Sequence, residues 1–522
     1  MRGIGPYLLL AALTGALVFL RLGATPLIGL DEGLYAECSR EMLAGGNYIV
    51  PTFNGQPFLD KPPLVYWLQA ASMSVFGVNS FAVRLPSALA VALLVAGVVY
   101  LGTRLFGARA GLLSGFVLVT SVLAVALGRL CLLDAALALT IAISMGAFVL
   151  AHTGVAGRWA YLLFWAAAGL SVMVKGPAGA VLILTPTALF LLVRKEGRSV
   201  GRTMPVVGII IFAAVAVPWY ALVQRETRGA FLKEFLIHQN LQRAAGQDFY
   251  HNQPLWFYIP IYAFGFFPWS AFVPLAWARH VRLKPESLAE QAGLFAAVWL
   301  ASTIVIFSLS RSKLPSYIFP AFPASALLVG VLWADEGERR GLRSSAVAAL
   351  VLSVMVAAAM LLGQSRLPRP IPGLAPTLAL MAGGQVLGCS AAAVLLYRQR
   401  TVQAFAALSA GAAASLVVAA AVGLPIASRS LSQPAAEIAR HIAATPPDTM
   451  ALAYRLSPPQ PAVSFYAQRF VLTIDTRPEL ICTLGKRRRA VVVVQRESLD
   501  HLPRGCQVLA HAHPYYLYEY RR

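Results

Sequence analysis

Long runs of apolar residues dominate the chain, and short polar stretches separate them. A helix needs about 20 apolar residues to cross the hydrocarbon core of a bilayer. Thirteen runs approach that length, and each predicts a transmembrane helix: 6–24, 81–103, 110–128, 132–152, 159–174, 177–193, 203–222, 256–278, 291–309, 316–334, 345–363, 373–396 and 403–424. The pattern predicts a mainly α-helical, polytopic membrane protein.

The pattern changes after about residue 428. Residues 432–443 are typical of a capped amphipathic helix, and shorter alternating segments follow. We predict strands at 449–454, 462–467, 470–474, 490–495, 507–511 and 515–520. The sequence therefore predicts a membrane domain over residues 1–427 and a small α/β domain over residues 428–522.

The loops indicate how the helices are oriented. Basic residues concentrate in alternate short loops, such as Arg104–Arg109, Arg194–Arg202 and Arg398–Arg400, and such loops face the cytoplasm. The amino terminus is then cytoplasmic, whereas two long loops, at about 25–80 and 223–255, and the α/β domain lie outside. The apolar run Tyr7–Leu20 has no A-x-A cleavage signature, so we expect it to remain as the first helix.

Composition narrows the function classes. Only 12% of the residues are charged, against about 25% in soluble proteins. The formal net charge of +21 comes without a nucleic-acid-reading motif and suits anionic headgroups and phosphates better. The five cysteines show no CxxC or Cys/His spacing, which leaves zinc and redox functions unsupported.

The first long loop opens with an acidic pair, Asp31 and Glu32. Adjacent carboxylates at a membrane boundary are costly to desolvate and usually mark a functional site. Asp31 can alternatively cap the helix that follows, because its side chain can accept from free N–H groups of the first turn.

Lys61 lies further along the same loop, in Asp60-Lys61-Pro62-Pro63, just before an aromatic amphipathic segment. A lysine here can hold a phosphate at headgroup depth as a point charge. The alternative is a lysine that snorkels from an interfacial helix.

Asp134 lies at the outer end of the third and fourth predicted spans, and Arg129 could be a purely structural partner for it. Cations on the same predicted side include Lys175, His238, Arg243 and Lys313. Together these groups suit transfer from a phosphate-linked donor, because cations stabilise a departing phosphate. A carboxylate can then activate the acceptor or stabilise positive charge at the sugar carbon.

An ordered set of motifs resembles the ArnT-like lipid A aminoarabinose transferases, GT-C glycosyltransferases related to protein O-mannosyltransferases. The set comprises Asp31-Glu32-x-x-Tyr35-Ala36-Glu37-x-x-Arg40-Glu41-Met42, Asp60-Lys61-Pro62, Tyr66-Trp67, Arg129 to Asp134, Lys175-Gly176-Pro177, Pro254-x-x-Phe257-Tyr258, Phe267-Pro268-Trp269 and Ser312-Lys313-Leu314-Pro315-x-Tyr317. The resemblance covers about residues 25–325 well and implies a polytopic GT-C fold.

The resemblance also implies roles by position. Asp31 matches the family's first catalytic aspartate, Asp134 matches its second acidic position, and Glu32 joins them as a catalytic candidate. The candidates for binding the donor phosphate are Lys61, Lys175, Arg243, Lys313 and Tyr317, and those for other substrate contacts are Tyr35, Arg40, Tyr66, His238 and His251. No cofactor is required, and a divalent metal, if bound, would lie at Asp60 and His238. The family has Glu-Lys-Pro where this chain has Asp60-Lys61-Pro62, so a metal contact there is doubtful.

The function expected is transfer of an aminosugar from undecaprenyl phosphate to a lipid A phosphate, by a monomer in the bacterial inner membrane with a periplasmic site. Two alternatives remain open: transfer to a protein hydroxyl or another glycan, and a flippase for lipid-linked sugars. We expect one cavity bordered by Asp31, Lys61, Asp134, His238, Arg243 and Lys313 and covered by the α/β domain. Cys482 and Cys506 could form a disulfide in that domain.

Overall fold

The computed structural model describes residues 3–235, 252–335, 339–366, 370–457, 459–487, 489–503 and 505–521. The chain forms two compact units, each built from separate stretches of sequence. The membrane unit comprises Met1–Leu20, Asp60–Val65 and Ser87–Gly423, and the α/β unit comprises Arg21–Leu59, Tyr66–Pro86 and Leu424–Arg522. The predicted boundary at 427/428 assigned the first long loop to the membrane domain, whereas most of that loop packs within the α/β unit.

The helices and strands are numbered in chain order. The helices are α1 (Gly5–Thr14), α2 (Gly29–Gly45), α3 (Leu64–Phe76), α4 (Ser80–Phe106), α5 (Ala108–Val119), α6 (Val122–Gly128), α7 (Asp134–His152), α8 (Ala160–Lys175), α9 (Pro177–Val193), α10 (Pro205–Glu226), α11 (Ala230–Leu232), α12 (Tyr258–Gly265), α13 (Val273–His280), α14 (Leu288–Leu309), α15 (Phe322–Ala334), α16 (Arg339–Gln364), α17 (Leu374–Tyr397), α18 (Thr401–Val418), α19 (Leu424–Leu431), α20 (Gln433–Ala443), α21 (Ala462–Ala467) and α22 (Arg477–Gly485). The strands are β1 (Thr52–Phe53), β2 (Gln56–Pro57), β3 (Met450–Tyr454), β4 (Val471–Ile474), β5 (Arg489–Gln495), β6 (Cys506–Ala512) and β7 (Tyr515–Arg521).

The described part of the chain contains eight helices long and apolar enough to cross a membrane, or ten if each of two bent pairs counts as one span. Three further predicted spans are shorter apolar helices, at Gly5–Phe19, Ala160–Lys175 and Pro177–Val193. The chain is therefore a multi-pass membrane protein, as predicted. The predicted number of thirteen transmembrane helices is not confirmed, because these three helices are shorter than a straight membrane crossing needs.

Two spans of the membrane unit are broken. α5 and α6 meet at 67°, and the helical stretches Leu255–Gly265 and Trp269–His280 meet at 111°. Pro268 lies in the second break, where proline removes a helical N–H donor. The indole N–H of Trp269 donates to the hydroxyl of Thr120 in the first break, over 2.9 Å. The two breaks therefore lie side by side.

Small residues bring two membrane helices together. A Cβ atom added to Gly388 on α17 would lie 2.8 Å from the Cα atom of Gly411 on α18. Backbones can approach this closely only where both positions lack a side chain, which is the usual way helices pack in lipid.

The α/β unit is built on a five-stranded sheet with the order β4-β3-β5-β7-β6. The first three strands are parallel, and β7 pairs antiparallel with β5 and β6. Helices α20 and α21 contribute to the apolar core on one face, and α22 contributes to the core on the other. The predicted small α/β domain is thus present.

One predicted strand of this unit is wrong. Residues 462–467 form helix α21, which follows Pro461 at its N-cap position. A six-residue apolar run fits a buried strand or a buried helix equally well, so periodicity alone could not decide between them. The helix α22, at Arg477–Gly485, was not predicted.

The first long loop joins the carboxy-terminal residues through polar contacts. Strands β1 and β2 form a hairpin whose turn residues, Asn54 and Gly55, both have positive φ. The side chain of Asn54 bonds the main-chain N–H and C=O of Val471 and the hydroxyl of Ser464. A Cβ atom on Gly33 would lie 2.5 Å from the main-chain nitrogen of Ala462, so α2 packs directly on α21.

Cys482 and Cys506 of the α/β unit are not bonded to each other. Cys482 on α22 is an exposed free thiol, and Cys506 on β6 is a half-buried free thiol. The disulfide considered from the sequence is therefore absent from this structure.

Candidate active site

The membrane unit places Asp134 against Lys175. Asp134 is the first residue of α7 and Lys175 the last of α8, and Lys175 Nζ lies 2.6 Å from Asp134 Oδ1. A helix amino terminus favours a carboxylate and a helix carboxyl terminus favours a cation, so each charge stands where its own helix stabilises it. Gly176, with φ of 78°, ends α8 directly after the lysine.

Tyr317 completes this cluster. The Lys175 ammonium lies 4.0 Å from the centre of the Tyr317 ring, within the range of a cation–π contact. Tyr317 belongs to the 3-10 helix Pro315–Ala321, which precedes α15. Three residues predicted from separate motifs, Asp134, Lys175 and Tyr317, therefore meet in one place.

Arg129, considered from the sequence as a partner for Asp134, bonds the backbone of the first helix. Its guanidinium donates to the main-chain carbonyls of Leu17, Val18 and Leu20. These carbonyls lie at the end of the first apolar segment, where α1 continues as a π-helical turn over Gly15–Phe19. Arg129 thus stabilises the junction between that segment and α6.

Lys313 is buried and holds two loops together. Its ammonium donates to the main-chain carbonyls of Gln253, over 2.9 Å, and of Ser310. Gln253 in turn donates its main-chain N–H to Arg311, over 3.1 Å. Burial lowers the pKa of Lys313. An ammonium has three donors, and two of those of Lys313 are directed at the protein backbone.

Lys61 contacts its own neighbour. Its Nζ lies 3.0 Å from Asp60 Oδ1 and 3.1 Å from the Asp60 main-chain oxygen, and its side chain is largely buried. A metal at Asp60 would therefore face an ammonium, and the described residues contain no group of three or more His, Cys, Asp or Glu suited to a metal. The metal stays a prediction, and no step below depends on it.

The α/β unit places Asp31 and Glu32 in different environments. Helix α2 begins at Gly29, with Ile28 at the N-cap, so Asp31 lies inside the first turn rather than at the cap position. Its side chain is exposed. Glu32 is buried and accepts from the main-chain N–H of Ile28, over 2.7 Å, which makes Glu32 the acid that satisfies the helix start.

Glu32 also pairs with Arg84, a residue that the sequence argument missed. Arg84 Nε lies 2.9 Å from Glu32 Oε1 and Arg84 Nη2 lies 2.8 Å from Glu32 Oε2, with both residues 2% exposed. The same guanidinium donates to the carbonyls of Leu22, Thr25 and Pro26. The pair therefore fixes the segment that leads into α2. A charge inside an otherwise apolar span was the available signal.

Other predicted contacts on α2 are also engaged within the protein. Arg40 forms two 2.7 Å bonds with Glu37, and burial raises the pKa of Glu37 to about 7 although the guanidinium opposes the shift. Tyr35 and Tyr66 are buried with ring centres 6.0 Å apart. Arg40 thus has a structural partner, and the tyrosine pair packs α2 against α3.

Three predicted site residues, His238, Arg243 and His251, lie outside the described residues. Asp31, Glu32, Tyr35, Arg40 and Tyr66 belong to the α/β unit, whereas Asp60, Lys61, Asp134, Lys175, Lys313 and Tyr317 belong to the membrane unit. The single cavity expected from the sequence stays a prediction.

The chain is similar in sequence to known glycosyltransferases. Residues 60–221 match the family model for dolichyl-phosphate-mannose-protein mannosyltransferase. The undecaprenyl phosphate-alpha-4-amino-4-deoxy-L-arabinose arabinosyl transferase of Enterobacter sp. (strain 638) is 32% identical over 303 residues, which are 57% of this chain and 54% of that protein. The transferase of the same description from Yersinia enterocolitica is 31% identical over 66% of this chain and 62% of its own length. The chain thus spans between half and two thirds of these relatives.

The fold is that of ArnT. ArnT from Cupriavidus metallidurans bound to undecaprenyl phosphate superimposes with a TM-score of 0.87 and 24% identity, over 99% of this chain and 98% of that one. The archaeal oligosaccharyltransferase AglB from Archaeoglobus fulgidus, at 12% identity, gives a TM-score of 0.53 over 95% of this chain and 69% of its own. The resemblance and the polytopic GT-C fold predicted from the motifs are confirmed.

Proposed function

We propose that this protein is an integral membrane glycosyltransferase that moves an aminosugar, 4-amino-4-deoxy-L-arabinose or a related sugar, from undecaprenyl phosphate to a phosphate of lipid A. The observation that carries the proposal is the likeness to ArnT over nearly the whole chain, together with the paired charges that this chain places at its motif positions. The proposed location is the inner membrane, with the reaction on the periplasmic side, where the charge pattern puts the loops that carry the motifs.

The reaction exchanges one glycosidic bond for another. The bond from the sugar C1 to the carrier phosphate oxygen breaks, and a bond from C1 to an oxygen of the acceptor phosphate forms. Undecaprenyl phosphate leaves with the bonding electron pair. An acceptor phosphate is already anionic, so the reaction needs no strong base, and resemblance to the family suggests a single inverting displacement.

The charged residues have separate roles in this proposal. Lys61 compensates the charge that develops on the carrier phosphate, and Lys175 does the same from a position set by Asp134. Asp31, exposed on the first turn of α2, orients the sugar or stabilises positive charge at C1. Glu32 has a positioning role, because its pair with Arg84 fixes the start of α2.

The direct test is mass spectrometry of lipid A from cells with and without the protein. We expect a mass increment of one aminosugar per modified phosphate, and no increment when the cells carry Asp31→Asn at equal expression. Purified protein in detergent should transfer sugar from an undecaprenyl phosphate donor, because an enzyme, unlike a flippase, needs no second compartment. Unmodified lipid A together with no transfer in detergent would overturn the proposal.

A second candidate is transfer from the same carrier to a protein hydroxyl. The match of residues 60–221 to a protein mannosyltransferase model favours it. In that reaction Asp31 would act as a general base, because a neutral hydroxyl must lose its proton. Glycosylated envelope proteins with unmodified lipid A would select this candidate.

A further inference from the structure

The membrane unit contains a large apolar cavity that the proposed reaction does not use. Its volume is about 540 Å³, within the range of small-molecule sites. Helices α1, α5, α15 and α18 contribute to its wall, with side chains such as Leu9, Phe116 and Phe405. Apolar cavities do not hold ordered water, so this space suits an apolar occupant.

The cavity lies at one end of these helices. The lining residues include Gly5, the first residue of α1, and Thr401, the first residue of α18. Trp333, next to the last residue of α15, also lines it. This is the end that the basic short loops assign to the cytoplasm, and Asp134 begins α7 at the opposite end. The cavity is therefore separate from the candidate active site along the membrane normal.

One cation lines the cavity. Arg109, the second residue of α5, lies at the helix end where the headgroups of the cytoplasmic leaflet are expected. Arg104, in the last turn of α4, and Arg400, which directly precedes α18, lie at the same end of the membrane unit and add to the positive charge there, and positive charge attracts anionic lipid. An apolar wall with a guanidinium at its headgroup end matches the chemistry of an anionic lipid.

Two lining residues also carry buried polar atoms. The indole N–H of Trp333 and the hydroxyl of Ser409 have no hydrogen-bond partner among the residues that the structure describes. Buried donors of this kind normally have partners. An ester carbonyl of a bound glycerophospholipid is an acceptor of the kind that such donors lack.

We infer that this cavity binds an anionic glycerophospholipid of the cytoplasmic leaflet, with an acyl chain against α1 and α18 and the phosphate at Arg109. The inference is independent of the sugar transferred. It concerns a second lipid site, at the opposite end of the membrane helices from the Asp134–Lys175 pair.

Native mass spectrometry of the purified full-length protein with added phosphatidylglycerol or phosphatidylcholine tests this inference. We expect phosphatidylglycerol to remain bound in preference to phosphatidylcholine. Arg109→Gln should reduce that preference about five-fold. Arg104→Gln is the matched control, since Arg104 lies at the same membrane face but does not line the cavity, and it should keep most of the preference.

A second pair of variants tests the cavity itself. Ala410→Trp fills it, whereas Ala414→Trp places the same side chain on an exposed position of α18 that does not line it. We expect the first variant alone to lose the bound lipid and the thermal stabilisation by phosphatidylglycerol. Equal binding by both variants would overturn the inference. Retention of undecaprenyl phosphate instead of glycerophospholipid would overturn it as well. If Ala410→Trp does not fold, the comparison of Arg109→Gln with Arg104→Gln decides alone.

Discussion

Lys175 and Asp134 form an ion pair of 2.6 Å that joins the carboxyl end of α8 to the amino end of α7. Both side chains are largely buried, and Tyr317 covers the ammonium. Removal of one partner from such a pair leaves an uncompensated charge, which costs more than the pair itself contributes. The two residues should therefore behave as one functional unit.

Asp134→Asn should lower the transfer rate roughly 10- to 100-fold, because a bond to a charged group is worth about 1.5–3 kcal/mol. Lys175→Met should cause a loss of similar size. In the double variant the loss should be no larger than in the worse single variant, since either change already destroys the pair. Steady-state kinetics of the four proteins measure this coupling. Losses that multiply would show that the residues act independently.

Asp31 and its neighbour Glu32 should respond in opposite ways to the same isosteric change. Asp31→Asn should abolish transfer and leave thermal stability nearly unchanged, because the exposed first-turn charge contributes only about 0.3–1 kcal/mol. Glu32→Gln should destabilise the protein by about 3–5 kcal/mol, because it leaves the Arg84 guanidinium buried without a counter-charge. Thermal unfolding and activity are measured on both. An active Asp31→Asn protein would reduce Asp31 to a structural residue.

Lys61→Ala should weaken use of the polyprenyl phosphate donor roughly 10- to 100-fold, and Lys61→Arg should retain part of the activity. Lys195→Ala serves as the control, because Lys195 lies two residues after the end of α9, in a loop that the charge pattern assigns to the cytoplasm. The readout is kcat/KM for the donor. Unchanged donor use in Lys61→Ala would favour the snorkelling lysine.

Glu37 should make stability depend on pH. Burial raises its pKa from 4.5 to about 7, so between these values the folded protein binds a proton that the unfolded chain releases. The contribution of Glu37 is present below pH 4.5 and is lost as pH rises through about 7. It amounts to about 3 kcal/mol at most. The melting temperature of Glu37→Gln minus that of wild type should therefore increase as the pH rises from 4.5 to 7. A constant difference would contradict the shifted pKa.

Sequence patterns predicted the membrane helices well because long apolar runs have few alternatives in a bilayer. They did not predict the 67° and 111° bends, because hydropathy shows that a segment is apolar and does not show the angle between successive helix axes. They also assigned residues 462–467 to a strand instead of a helix, because six residues are too few to distinguish a helical from a strand-like hydrophobic period.

The partners of the site residues were harder to predict. Arg129 lies five positions from Asp134, yet the ammonium that contacts this carboxylate belongs to Lys175, which is 41 residues away. Motifs identified Asp134, Lys175 and Tyr317 individually, but only the packing of α7, α8 and the 3-10 helix brings them together. Arg84 was missed because it lies within an apolar run that had already been assigned to a membrane span.

The contacts of Asn54 with Val471 and Ser464 span 417 and 410 residues of sequence. At ribosomal speeds of about 5–20 residues per second, roughly 20–80 s separate the synthesis of the two partners. In the proposed orientation the first loop is translocated during that interval, before the strands and helices on which it packs have been synthesised. The surroundings of helix α2, which carries Asp31, are therefore complete only near the end of translation. Chaperones outside the cytoplasm would have this interval in which to protect it.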